Sequence, residues 1–423
     1  MKLDMIILRE TPATQSRKHE WESLDIRGVL PTRRGESSPK FEANRIGNEV
    51  PSEDHAAAAQ VTVELKETTE EERVALRNEA GVIAAPPMPV MLIKSVENDM
   101  AAGQAPKTSW GIPTVFPAAA SDPANELFTG KGVTVAVLDT GIDGAHPAFK
   151  GIEVASQNFV EGEADDDIDG HGTHCAGTIF GRDVEGCRIG IARGVTKAVI
   201  GKVIGKNGGS TEQIVKAIGW AQSKGAQVMS MSLGLDFVGY QKLLQTRYKM
   251  PEQQATAFAL AGYRDNIRLF DKLSNSTSSS TTILNSTVVT AAAGNESKRP
   301  DYSIIVSPPA AAEYFLSVAA LGPGGGNPPY SLASFSNSGA MFAAPGVDIW
   351  SARRGGGLIA LSGTSQATPH VAGVAALWVE KLMGKKKYSA SRTIESMKEN
   401  CIELTPAISE DDVRYGLVQA PTE

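Results

Sequence analysis

Cysteine is scarce: Cys175, Cys187 and Cys401 are the only three in 423 residues. At most one disulfide can close, so the chain is not a disulfide framework. Long apolar runs are missing too. The start, "MKLDMIILRE", offers four apolar residues in a row, too few for a secretory h-region. Nothing later approaches the roughly 18 that a membrane span needs. A cytoplasmic location is the expectation, with secretion as the alternative, and no membrane partner is expected. Basic charge is not in excess either, since 41 Lys and Arg face 48 Asp and Glu for a formal net charge of −7. The short run Lys385 to Lys387 reads as a solvated helix end, and no nucleic-acid partner is expected. What is present is an ordinary 41% hydrophobic content, enough for one large domain and a smaller one.

Residues 1–58 are polar and without sustained period, and read as an arm. A small α+β unit with a linker is expected over 59–104. "AQVTVEL" alternates as a strand, "TTEEERVALRNEAG" opens on a capping threonine with acidic residues in its first turn, "PVMLIKSV" is a second strand, and "ENDMAAGQAPKTS" has linker composition. Over 105–423 short apolar strands alternate with helical stretches: "GVTVAVLDTG", "KAVIGKVIG", "TEQIVKAIGWAQSKG", "AQVMSMSLG", "STVVTAAAGN", "FLSVAALG" and "TPHVAGVAALWVEKLMG". This pattern predicts an α/β fold of three layers, a parallel sheet covered by helices on both faces. Chemistry then collects at the carboxyl ends of the strands.

Four residues fall at such places. Asp139 ends "VTVAVLD", His171 stands between glycines in "DGHGTHCAGT", Asn295 ends "VVTAAAGN", and Ser365 follows Gly-Thr at a helix start in "LSGTSQATPHVAG". Alone, each has a plain reading as a cap, a structural histidine or a turn residue. Together they fit one mechanism: Ser365 as nucleophile, His171 as its base, Asp139 as the group that fixes the imidazole, and Asn295 as oxyanion donor.

With "VAVLDTGIDGAHPAF", "DGHGTHCAGT" and "GTSQATPHVAG" in the order Asp, His, Ser, and "AAAGN" between the last two, the chain resembles the subtilisin-type serine peptidases. The resemblance implies a peptide or protein substrate bound as an added strand. Ser232, Leu233 and Gly234 would form one wall of the cleft, and Gly208, Gly209 and Ser210 the other rim. Ser307 would sit near the base of a neutral S1 pocket, with Pro309 as the cis proline of its floor. The resemblance also implies that 59–104 is a prosegment, an intramolecular inhibitor, removed by cleavage expected within roughly 95–110.

Departures from the family pattern matter. The family's strong calcium site has a carboxylate where this chain has Ala148, and "GRDVEGCRIG" brings Arg182 and Arg188 to its ligand loop, so that site is not expected. The loop "EGEADDDID" holds six carboxylates from Glu161 to Asp169; a solvated loop is the plain reading and Ca²⁺ the alternative. Asp169, two residues from His171, is expected to favour basic substrate residues nearby. A zinc reading of His171, His174 and Cys175 lacks a fourth ligand, and no metal or other cofactor is required. The stretch 235–287 is longer than the resemblance implies and is either a cover over S1 or a surface excursion; its Asn275 and Asn285 sequons mean little without export. An endopeptidase made as a zymogen leads the alternatives, ahead of a peptide ligase or macrocyclase on the same triad and a noncatalytic peptide-binding protein.

Overall fold

The computed structural model describes residues 2–11, 60–95, 105–116, 127–278, 287–325 and 329–422. Near the N-terminus, β1 (Leu3–Thr11) lies between β2 (Gln60–Thr68) and β3 (Val82–Ala85), antiparallel to both. Residues 3–11 are therefore not arm, and the remainder of the expected arm, 12–58, lies outside the described residues. The four apolar residues Met5 to Leu8 lack alternation because the central strand is buried on both faces. Met5 and Ile7 pack with Leu76 and Ala84, whereas Ile6 and Leu8 join the core cluster of the larger domain.

Helix α1 (Glu70–Asn78) forms where expected. Thr69 caps it in a reciprocal box with Glu72, and Glu70, Glu71 and Glu72 meet the positive end of its dipole. β4 (Pro89–Leu92) departs from the reading of "PVMLIKSV": it does not enter the small sheet but pairs antiparallel with β8 (Gly209–Ser210) and β10 (Leu233–Leu235) of the large domain.

That domain follows a short helix, α2 (Gly111–Val115). Its sheet runs β13 (Tyr330–Leu332), β12 (Leu316–Pro323), β11 (Val288–Ala292), β9 (Val228–Met231), β5 (Thr134–Asp139), β7 (Lys197–Lys202), β6 (Glu153–Asn158), with β14 (Phe342–Pro345) also on β12. All these pairs are parallel except β12 with β13. The strands are apolar on both sides because helices cover both faces. One face packs α3 (His171–Phe180), α7 (Thr364–Gly384) and α8 (Ala390–Glu399). The other packs α4 (Thr211–Ser223) and α6 (Glu252–Ser278), the latter preceded by α5 (Phe237–Arg247). A hairpin, β15 (Ile349–Ala352) and β16 (Leu358–Leu361), leads into α7.

α5 and the first part of α6 carry most of the 235–287 stretch. Rather than covering the carboxyl ends of the sheet, their apolar faces enclose Met88 with Tyr240, Leu244, Met250, Ala255 and Ala259. The Asn266 amide donates to the Pro86 carbonyl at 2.9 Å. Among the described residues this stretch is a platform beside the segment leading into β4.

Candidate active site

Asp139 is the last residue of β5, and His171 the first of α3. His171 Nδ1 and Asp139 Oδ1 lie 2.8 Å apart, and both residues are almost wholly buried. Burial opposes the imidazolium, but Asp139 together with the adjacent Cys175 outweighs it and raises the His171 pKa well above its ordinary value. Gly172 permits this approach, since a Cβ there would lie 2.2 Å from the Gly141 carbonyl oxygen. Nε2 is left without a hydrogen-bond partner.

Two side chains outside the expected set hold this pair in place. The Thr140 hydroxyl donates to Asp167 Oδ1 at 2.8 Å and accepts from the Gly172 amide. Asp167 also accepts from the amides of Asp169, Gly170 and Thr173 and from the Thr173 hydroxyl. Burial opposes its charge, yet these bonds hold its carboxyl below the ordinary range. Asp167 thus ties the end of β5 to the start of α3. In the sequence it was one of six carboxylates and read as solvated; only its spacing four residues before His171 set it apart.

Ser365 enters α7 after Gly363 and Thr364, and its hydroxyl donates to the Ile93 carbonyl at 2.9 Å. Asn295 is aimed by Thr364, whose amide and hydroxyl donate to its Oδ1 at 2.9 and 2.8 Å, leaving Nδ2 to donate to the Lys94 carbonyl at 2.9 Å. In this state the Asn295 amide therefore sits one carbonyl beyond the one that Ser365 engages.

Six of the seven cleft residues expected from the sequence, all but Ser307, lie along residues 89–93. The Ile93 amide donates to the Ser232 carbonyl at 3.4 Å, and Leu233 and Gly234 pair with Leu92 and Met91. Gly209 and Ser210 pair with Val90 and Pro89. Gly208, at φ +85°, leaves room for the Val90 carbonyl, 2.6 Å from where a Cβ would stand. A Cβ on Gly234 would meet the Ile93 side chain at 3.7 Å and the Ser307 hydroxyl at 3.8 Å, so both flank Gly234. The Pro308–Pro309 bond is cis. Ile93 is buried, Lys94 and Met91 are exposed, and Val90 is buried.

Asp169 does not dominate its side of the cleft. It lines a cavity with Gly170, His171, Lys94, Arg353 and Arg354, and the two guanidinium groups oppose its charge. Three cationic side chains, Lys94, Arg353 and Arg354, thus share that cavity with Asp169.

Two cations, the half-buried Arg182 and the buried Lys202, occupy the two loops with calcium-like positions. Arg182 donates to the carbonyls of Phe180 (3.1 Å), Arg193 and Val195 (2.8 Å), while its own amide donates to the Ala148 carbonyl. That carbonyl set, already bound to a guanidinium, does not fit Ca²⁺. In the acidic loop the Lys202 ammonium, 1% exposed, donates to the Ala164 and Asp166 carbonyls at 2.6 and 3.0 Å and lies 3.4 Å from Glu163 Oε2. Asp139, His171 and Cys175 form a compact group, but His174, part of the zinc reading, bonds the Ile349 carbonyl through Nε2. Burial raises the Cys175 pKa and keeps it a thiol, 3.4 Å from the Ser365 carbonyl oxygen and 3.8 Å from His171 Nδ1.

Comparison with known proteins agrees with this arrangement. The profile of the Subtilase family matches residues 130–411. The alkaline serine exoprotease A of Vibrio alginolyticus is 31% identical over 259 residues, 60% of this chain and 40% of that protein. Subtilisin-like protease 1 of Arthroderma gypseum (strain ATCC MYA-4604 / CBS 118893) is 31% identical over 306 residues, 69% and 52% of the two chains. Subtilisin-like protease 6 of Trichophyton tonsurans is 32% identical over 307 residues, 69% and 62%. The chain thus spans 40 to 62% of the length of these relatives. A profile match over more than half of the residues makes this chain a member of the subtilase family.

Proposed function

We propose that the chain is a serine endopeptidase made as a zymogen, with residues 3–11 and 60–93 as its own inhibitor. The observation that carries this reading is the Ser365 hydroxyl on the Ile93 carbonyl, within a segment paired to the cleft on both edges. In the reaction, His171 Nε2 takes the Ser365 proton as Oγ attacks the carbonyl carbon, and Asp139 steadies the imidazolium. Ile93 becomes the acyl group, and Lys94 leaves as the amine with a proton from His171. Asn295 serves the oxyanion after the short shift that brings its amide from the Lys94 to the Ile93 carbonyl, a contribution of roughly 3 to 4 kcal/mol.

Cleavage after Ile93 replaces the range 95–110 expected from composition, because strand pairing and not linker character decides which bond meets the nucleophile. The exposed Lys94 does not fit the S1 role; the buried Ile93 does, and supports preference for aliphatic P1 residues. Ligation is not favoured, since α5 and α6 stand beside the upstream end of the cleft and exclude no water from Ser365. The 161–169 loop is closed by Lys202 and needs no calcium. No helix among the described residues is long and apolar enough to cross a membrane. Three unpaired cysteines support a reducing compartment, while the exoprotease name of one relative supports export; cell fractionation decides. Product analysis with a peptide library tests the function: internal cleavage is expected, and ligated products or unchanged peptides would overturn it.

A further inference from the structure

The family's cleft does not account for Met88. This side chain is fully buried, yet it lies five residues before Ile93 and outside the β4 pairing. Both of its backbone polar groups are held by one residue of the large domain. Its amide donates to Thr211 Oγ1, and its carbonyl accepts from the Thr211 amide, each at 3.0 Å. The next carbonyl, that of Pro89, accepts from the Asp236 amide at 2.9 Å. Residue 88 is thus bound as the cleft strand is bound, through main-chain groups that any peptide has.

The side chain enters a pocket built by the 235–287 stretch. Its walls are Tyr240 and Leu244 of α5, Met250 of the connection, and Ala255 and Ala259 of α6. The sulfur passes over Gly262, 3.8 Å from where a Cβ would stand. Pro86 of the inhibitory segment also reaches Gly262, 3.0 Å from where a Cβ would stand, but Tyr240, Leu244, Met250, Ala255, Ala259 and Gly262 stay with the enzyme once that segment leaves. In an extended strand alternate residues share a side, and Met88 and Val90 are both buried while Met91 is exposed.

We infer that α5 and α6 form a substrate subsite for the sixth residue ahead of the scissile bond, which takes a long unbranched or γ-branched apolar side chain such as Met or Leu. This rests on the peptidase reading and on Ile93 as P1. The selected substrates are protein segments able to lie extended over at least six residues. Short peptides that end at P4 forgo this contact.

The test uses peptides X-Pro-Val-Met-Leu-Ile-Lys-Ser with X as Met, Leu, Ser or Asp, and a control lacking X, cleaved by the self-processed full chain. Met and Leu are expected to exceed Ser, Asp and the control in kcat/KM by about tenfold or more. Gly262→Leu, which fills the space under Met88, and Tyr240→Ala, which removes a wall, are each expected to collapse that ratio. The ratio is the readout, so a general loss of activity does not obscure it. Equal rates for all X, with cleavage still after Ile, would overturn the subsite alone. A ratio retained in both variants would also overturn it. No turnover of any peptide would overturn the peptidase reading itself.

Discussion

The Ser365 hydroxyl donates across 2.9 Å to the carbonyl of Ile93, a residue 272 positions earlier in the chain. That contact singles out the Ile93–Lys94 bond. N-terminal sequencing of active enzyme is expected to begin at Lys94. Ser365→Ala is expected to leave the chain uncut and to lower turnover by a factor on the order of 10⁶. A mature chain beginning at Ser95 would assign the acyl position to Lys94 instead, and a start beyond residue 95 would restore the linker as the processed segment.

The pH dependence follows from His171. The base must be neutral, and Asp139, with Cys175 beside it, raises its pKa above the ordinary value near 6.5. Activity is therefore expected to climb with pH as the imidazole loses its proton, with a midpoint above 6.5. Asp139→Asn is expected to move that midpoint down and to reduce kcat by about 10⁴. An unmoved midpoint in the variant would show that the carboxylate does not set it.

Asp167 is expected to act as a positioning residue. Asp167→Ala should lower kcat with little change in KM, because it loosens the link between β5 and α3 rather than the cleft. It should also cost about 2 to 3 kcal/mol of stability, as bonds to a buried charge are lost. The folded pKa lies below the unfolded value near 3.9. Its stabilising contribution is then present above about pH 4 and disappears as pH falls through the folded value. Denaturant titrations at pH 7 and at acid pH, wild type against variant, measure this; an equal gap at both would refute the assignment.

Chelation tests the buried cation. EDTA is expected to leave Tm unchanged, since Lys202 already binds the Ala164 and Asp166 carbonyls. Lys202→Met is expected to lower Tm by leaving these acceptors and Glu163 without their partner. A fall in Tm with EDTA, restored by Ca²⁺, would assign the loop to a metal.

Oxidation and thiol chemistry separate two neighbours of the nucleophile. Gln366 follows Ser365, and an amide gives no sulfoxide, so peroxide should barely alter hydrolysis. A mercurial that reaches Cys175 should displace His171, whose Nδ1 lies 3.8 Å from the sulfur. Cys175→Ala should remove the mercurial effect even though the half-buried Cys401 remains. Rapid peroxide loss that persists in Cys175→Ala would count against Gln366.

Strands β5, β7, β9, β11 and β12, the capped helix α1 and the local settings of Asp139, His171, Asn295 and Ser365 were legible from sequence alone, whereas β6, β13 and β14 of the same sheet were not. Each legible feature is a local pattern: an apolar run ended by a turn, a threonine three residues ahead of a glutamate, a side chain at the end of a strand. The sequence by itself also determined that Ala148 supplies no calcium carboxylate. Tertiary structure decided the rest, because the remaining features depend on which distant segments meet. Met5 to Leu8 became a central strand only when residues 60–68 and 82–85 flanked it. Residues 89–92 have strand character anywhere, but the free edges of Gly209–Ser210 and Leu233–Leu235 drew them into the cleft. Asp167 sits among charges that look solvated in sequence and Lys202 ends an apolar strand; burial against distant segments turned one into a tie between β5 and α3 and the other into an internal cation.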